Sequence, residues 1–263
     1  MIIEKDLKPI DIETLRKNNP IVLIGMPGIA MVGRMAVLNF IKGLEATEYK
    51  QIYYYDFPPH AMVGKNGEMT MPKVSLYYWK NNKSGDENAN NLIMITADYQ
   101  PSSGQGIYEL SDYICKYCSE INAKYIIALG AFVPEEPVTE NRKVYISGSD
   151  KDLINFLKAS EVGRLTILES GFITGANGII PAWCNINYNI PGACLLADTL
   201  PYPQIDPSAS KELVLVLRNR LKVDVNLDFL ESKIKQIEKV NLNLKSLLDK
   251  KRPPKKPETG YIG

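Results

Sequence analysis

Pro20-Ile21-Val22-Leu23-Ile24-Gly25 is an almost wholly apolar run of strand length, closed by Gly and Pro. Such a run predicts a strand buried on both faces, as in parallel sheets. Helical spacing from Ile29 to Leu44 follows, making a strand–turn–helix unit. Asn91 to Thr96 repeats the pattern, with a loop through Pro101-Ser102-Ser103-Gly104 and a helix over Gly106 to Asn122. A third apolar run, Tyr125 to Gly130, comes next. Later elements are a strand near Val144 to Ile146, a helix from Asp150 to Ser160 and a strand at Leu165 to Leu168. A loop and helix over Gly171 to Trp183 then lead to a strand at Gly192 to Leu196 and a helix from Ser208 to Leu221, capped by Asp206 or Ser208.

Strands alternating with helices of this length predict an α/β fold, a doubly wound and mostly parallel sheet with flanking helices. Residues 49–80 break the pattern. Tyr53-Tyr54-Tyr55, Met69-Thr70-Met71 and Val74 to Trp79 are β-rich, and Lys65-Asn66-Gly67 reads as a turn. An antiparallel hairpin at or beside one sheet edge is expected, with Pro72 keeping the last two runs apart.

The closing helix has a different period. Leu227, Leu230, Ile234, Ile237, Asn241, Leu244 and Leu248 are spaced alternately by three and four residues, the seam of a coiled-coil-like helix. Asn241 on that seam is a polar placement that fixes register and partner number. Val240 and Leu242 broaden the stripe, as a helix packing on its own domain requires. The expected organisation is an α/β domain over residues 1–221, an oligomerising helix over 222–249 and a flexible C-terminal tail over 250–263.

Composition narrows the functional classes. A net charge of +1 argues against a general nucleic-acid-binding surface. No window has the roughly 18 consecutive apolar residues of a membrane span, and the start, MIIEKDLKPIDIE, lacks the apolar core of a signal peptide. Four cysteines are too few for a disulfide framework in 263 residues, so a cytosolic location is expected.

Candidate chemistry is sparse. Gly25-Met26-Pro27-Gly28-Ile29-Ala30-Met31-Val32-Gly33 is a glycine-bearing strand-to-helix turn, where a helix N-terminus could take an anion. It matches neither GxGxxG nor GxxxxGK[ST], and Pro27 removes a backbone donor. Ser170 to Gly178, with Gly171, Gly175 and Gly178, is a second small-residue loop before a helix. Gly25, Gly28, Gly33, Gly171, Gly175 and Gly178 therefore mark possible anion or ligand loops, although helix–strand packing explains them as well. Cys115 and Cys118 form CxxC inside an amphipathic helix and read as buried core rather than a metal or redox site. His60 is the only histidine. Asp56, Asp98, Glu135, Glu136 and Glu169 fall near strand ends without a spacing that pairs them for acid–base work. No catalytic residue, metal or cofactor is assigned, and the lack of a Walker motif points to independence from ATP.

The last thirteen residues, KRPPKKPETGYIG, are basic and proline-rich and cannot bury a core of their own. They close on Tyr261, Ile262 and Gly263, an aromatic, an aliphatic and a terminal carboxylate that suit a peptide ligand for a pocket elsewhere. Chain ends of this kind are also often disordered without consequence.

Three segments, PIVLIGMPGIAMVG at 20–33, DFPPHAMV at 56–63 and SGFITGANGIIPAW at 170–183, together with the late strand–helix alternation and the coiled tail, resemble the archaeal branch of the proteasome assembly chaperone family, related to the second eukaryotic assembly chaperone. The resemblance implies a nucleoside-phosphorylase-like fold without enzymatic activity. It also implies a homo-oligomer, with four subunits as the working expectation, that engages the outer ring of the proteasome core particle as assembly chaperone or activator. Some members dock through a C-terminal hydrophobic–Tyr–any motif. Here Tyr261 is third from the end and Gly260 precedes it, a departure from that pattern. The rival expectation is a nucleoside- or phosphate-binding protein or enzyme using the glycine loops.

Overall fold

The structure, a computed structural model, describes residues 1–81, 90–135, 138–139, 142–159 and 165–251; within 241–251 it describes the backbone and, of the side chains, Leu242 alone. The strands are β1 (Ile2–Asp6), β2 (Ile21–Gly25), β3 (Thr47–Tyr54), β4 (Met62–Val63), β5 (Met69–Thr70), β6 (Val74–Trp79), β7 (Leu92–Ala97), β8 (Tyr125–Phe132), β9 (Val144–Gly148), β10 (Leu165–Ile167) and β11 (Gly192–Asp198). The helices are α1 (Ile12–Arg16), α2 (Val32–Gly43), α3 (Gly104–Glu120), α4 (Lys151–Lys158), α5 (Ala176–Tyr188), α6 (Pro207–Leu221) and α7 (Asp228–Lys251).

Nine strands form one sheet in the order β1-β3-β6-β7-β2-β8-β11-β9-β10, while β4 and β5 pair as a separate hairpin. The four central strands, β7, β2, β8 and β11, run parallel, and all four have continuous apolar sequence. Residue period two sends Ile21, Leu23, Met94 and Leu129 to one face and Val22, Ile24, Ile95 and Ala128 to the other. The first set packs with α2, α4, α6 and the base of α7; the second packs with α3 and α5. Helices on both faces are what make the central strands read as unbroken apolar runs.

The expectation of a mostly parallel sheet is corrected. Four of the eight strand pairings are parallel (β7–β2, β2–β8, β8–β11, β9–β10) and four antiparallel (β1–β3, β3–β6, β6–β7, β11–β9). The physical reason lies in the connections. β3 leads to β6 without a crossover helix and, among the described residues, so does β8 to β9, so β6 runs back against β3 and β9 runs opposite to β8 and hence to β11, which is parallel to β8. The expected hairpin region thus divides: β3 and β6 extend the main sheet, and only β4–β5 stands apart, closing through Gly67 at φ 79°. β1, which the sequence pattern leaves unassigned, forms the outer edge on β3.

The helix expected from Ile29 also starts later. Ile29–Met31 is a 3-10 turn in which Ala30 and Met31 adopt φ of 47° and 52°, and regular helix begins at Val32. The Ala30 carbonyl there accepts from the Asp206 N–H at 2.9 Å, so tertiary bonding holds the turn open. Asp206 then caps α6, its Oδ1 accepting from the Ala209 N–H at 3.0 Å.

Candidate functional site

The carboxyl ends of β2 and β8 mark the point where the chain's progress through the sheet reverses, from β2 out to β7 and then back across to β8 and β11. Open α/β sheets form their crevice there. A cleft of about 330 Å³ occupies it, lined among others by Gly28, Gln100, Phe132, Phe172, Gly175 and Asn177. Both glycine loops singled out from the sequence therefore meet at one place.

What joins them is a pair of side-chain amides. Asn177, buried at the start of α5, accepts from the Met26 N–H at 2.9 Å and donates to the Met26 carbonyl at 3.1 Å. Gln100 donates to the Pro27 carbonyl and accepts from the Ala176 N–H at 2.9 Å. These donors at the strand end and the helix start are spent inside the protein. An anion would have to displace Asn177 or Gln100 to use them, at the cost of an unpaired buried amide.

The six glycines separate by role. A Cβ on Gly33 would fall 1.9 Å from the Leu129 carbonyl oxygen, and one on Gly25 would fall 2.3 Å from that of Gly33. Both let α2 sit backbone to backbone on the sheet. Gly178 likewise abuts the Ile173 carbonyl at 2.2 Å, and Gly175 turns at φ 74° against Gln100. Only Gly28 and Gly171 face open space, since a Cβ there meets nothing closer than 3.7 Å. Beside Gly171, Phe172 is 99% exposed at the cleft mouth.

The remaining candidates are dispersed. Asp56 holds Ser103, its Oδ2 accepting from the Ser103 N–H and Oγ at 2.9 Å each. Asp98 is paired with Arg34 at 3.0 Å. Glu135 and Glu169 are exposed, and Glu136 lies outside the described residues. His60 is exposed with its ring edge-on to Tyr99, centroids 4.9 Å apart. Cys115 and Cys118 are buried between α3 and α5, as expected, with Cys115 Sγ donating to the Ile180 carbonyl at 3.4 Å. Hydrogen bonding to Cys184 and burial push both thiols up. Among the described residues no group of three or more His, Cys, Asp or Glu side chains is placed to hold a metal ion.

Sequence reasoning missed a polar cluster at the end of β11. Asp206 Oδ2 accepts from Thr199 Oγ1 at 2.7 Å and pairs with Arg142 at 3.0 Å. Neighbouring Asp198 accepts from the Lys143 N–H at 3.0 Å, and burial raises its carboxyl above the usual range. These residues come from three separate segments with no local motif, so only the fold assembles them.

The seam of α7 also divides. Leu230 is fully buried in the core of the α/β body, and Leu227 packs against the same core. Lys42 lies 3.9 Å over the Phe229 ring, Lys211 pairs with Glu231 at 3.0 Å, and Asn39 donates to the Asn226 carbonyl at 2.9 Å. The base of the helix is thus clamped to α2 and α6. Ile234 and Ile237 are half-buried, whereas Val240 and Leu242 are exposed. The side chains of Asn241, Leu244 and Leu248, and the whole of Tyr261, Ile262 and Gly263, lie outside the described residues. No helix among the described residues is long and apolar enough to cross a membrane.

Several known proteins share this architecture. The chain is 27% identical over 265 residues to the uncharacterized protein MJ1210 of Methanocaldococcus jannaschii, covering 98% of this chain and 95% of the relative. Its fold superposes on that of PbaB from Pyrococcus furiosus, described as an archaeal proteasome activator, with a TM-score of 0.81 at 24% identity, covering 93% of this chain and 98% of the other. PbaA from the same organism, described as an archaeal homolog of proteasome-assembly chaperone, matches at 0.72 and 23% identity, over 88% and 90% of the two chains. The PAC2 family model matches residues 22–243, from the first central strand well into the last helix, and the chain belongs to that family, the one to which the segments at 20–33, 56–63 and 170–183 point.

Proposed function

We propose that this chain is an ATP-independent proteasome assembly chaperone or activator that binds the outer ring of the core particle through residues 250–263. The observation that carries the reading is the clamped base of α7. Burial of Leu230 and the pairings of Phe229 and Glu231 make the helix start a fixed strut on the α/β body. At 24 residues and about 1.5 Å per residue, α7 is roughly 36 Å long and leads directly to the basic, proline-rich segment.

Tyr261 and Ile262 are the apolar anchors of the proposed ligand, and the carboxylate of Gly263 seeks a lysine in the receiving pocket. A ligand of three residues is weak alone. Several copies carried on one cytosolic homo-oligomer, a tetramer joined through the outer part of the α7 seam, raise its effective concentration. The PbaB and PbaA descriptions support the proteasome as the partner. The spent amide donors between the glycine loops speak against the rival phosphate-binding reading.

A pull-down with purified core particle, comparing the full chain with one ending at Pro257, tests the proposal. Retention of the full chain and loss of the shortened one is expected. Equal retention of both sinks the tail. Thermal stabilisation by nucleosides or inorganic phosphate, without core-particle binding, would instead favour the rival.

A further inference from the structure

The cleft at the ends of β2 and β8 is closed to an anion, yet its lining suits another class of ligand. Among the described residues no charged side chain lines it. The charged cluster at the end of β11 is paired within itself, Asp206 with Arg142 and Thr199, and Asp198 with the Lys143 N–H. The cleft wall is instead apolar, from Ile29, Phe132, Leu168 and Phe172, with Gly130 and Leu196 at the strand ends. Its volume of about 330 Å³ falls within the span of small-molecule sites, about 300–1,000 Å³.

A few polar groups are left to orient a ligand. An amide nitrogen carries two N–H groups. Asn177 gives one to the Met26 carbonyl and Gln100 gives one to the Pro27 carbonyl, which leaves the second of each. Asn177 is buried to 7% exposure, and a Cβ on Gly28 would meet its Nδ2 at 3.7 Å with nothing closer. That nitrogen therefore stands beside the open part of the cleft. Thr174 adds a hydroxyl at the rim.

The two aromatic residues of the wall differ. Phe132 is held, its ring packed on Tyr145 with centroids 5.0 Å apart. Phe172 is 99% exposed and has almost no packing to lose by turning onto a bound ring. We propose that the cleft binds an uncharged, flat ring that carries a carbonyl, with the carbonyl accepting from the Asn177 and Gln100 amides and the ring face covered by Phe172. An apolar wall with a few convergent polar groups is the usual make-up of such a site. The site is separate from residues 250–263, so it stands or falls independently of core-particle binding.

Saturation-transfer NMR on the full chain tests the site, with benzamide as the probe and benzoate as its charged counterpart. Benzamide should bind saturably, with the roughly millimolar affinity of so small a molecule. Benzoate should bind at least about tenfold more weakly, because its carboxylate would lose water without gaining a cation. Gly28→Leu places a side chain in the cleft on backbone that accepts it, since φ is −162° there. It should weaken benzamide by about tenfold or more. Phe172→Ala should weaken it about three- to tenfold by removing one ring contact. Thermal melts of both variants should match wild type, as neither position is packed in the core. Absence of saturable benzamide binding overturns the proposal. So does benzoate bound as tightly as benzamide, or an unchanged benzamide affinity in either variant.

Discussion

The β7-β2-β8-β11 centre is built from long apolar runs and the β1-β3-β6 wing from strands of mixed polarity, and among the described residues only the centre is covered by helices on both faces. In the centre, glycines bring α2 against the sheet and amides stitch the loops, so close packing consumes the backbone groups that an anion could have used. On the wing and the β4–β5 hairpin beside it, Ile3, Tyr55, Val63, Met69 and Met71 are each more than half exposed. The contrast teaches that apolar content alone does not locate function: the same residue types are structural where a helix covers them and available where none does. It also bears on this chain's glycine-rich segments, where Gly25, Gly33 and Gly178 each lie against a backbone carbonyl.

The largest expected effect is at the centre. Gly33→Val puts a branched side chain where even a Cβ would lie 1.9 Å from the Leu129 oxygen. Separating α2 from β8 should cost upwards of about 5 kcal/mol, a large part of a domain's whole stability. Denaturant unfolding, or the absence of folded protein, reads this out. A Gly33→Val chain with near wild-type stability would show that the centre is not packed as described.

Leu230→Ala comes next, at about 2–5 kcal/mol for a cavity under α7. Because Leu230 is fully buried, the loss should appear in the unfolding of the body and not only in self-association. If stability is unchanged and only the assembly dissociates, the helix base belongs to a partner and not to its own domain. Asn177→Ala should cost about 1–3 kcal/mol by leaving the Met26 N–H and carbonyl without their partner. It also frees those groups, so an increase in phosphate affinity in the variant alone would show that the loops become anion sites only once the stitch is cut.

The central strands and most helices were legible in the sequence because runs such as Ile21–Gly25 and Leu92–Ala97 encode burial on both faces locally. Asp206 was one of the two caps that local side-chain chemistry offered for α6, with Ser208 the other. The wing was not. Ile2–Asp6 holds only two apolar residues before its charges, and it becomes a strand because β3 offers it a partner. The reversed entry of β9 was equally hidden, since strand direction is decided by the connection and not by composition. In the cleft, the glycine positions could be read, but their use could not. Whether a glycine serves a ligand or a neighbouring carbonyl depends on residues more than a hundred positions away, as Asn177 on Met26 illustrates.

The smallest prediction concerns the electrostatics of the centre's rim. Burial raises the Asp198 carboxyl, so its charged form is disfavoured in the folded state even though the Lys143 N–H and the nearby Arg142 partly offset this. A carboxyl whose pKa rises on folding adds stability below its unfolded pKa, and that contribution is lost as pH climbs through the folded value. At neutral pH, Asp198 is therefore a net cost. Asn keeps an oxygen to accept from Lys143 without the charge, so Asp198→Asn should raise Tm slightly at pH 7. The gain should shrink as the medium is acidified and vanish below the ordinary carboxylate range, where Asp198 is neutral in both states. Thermal melts of the two proteins across that range decide the matter. A destabilised variant at pH 7 would mean that the attraction to Arg142 and Lys143 outweighs desolvation, and that the rim of the cleft is held together by charge.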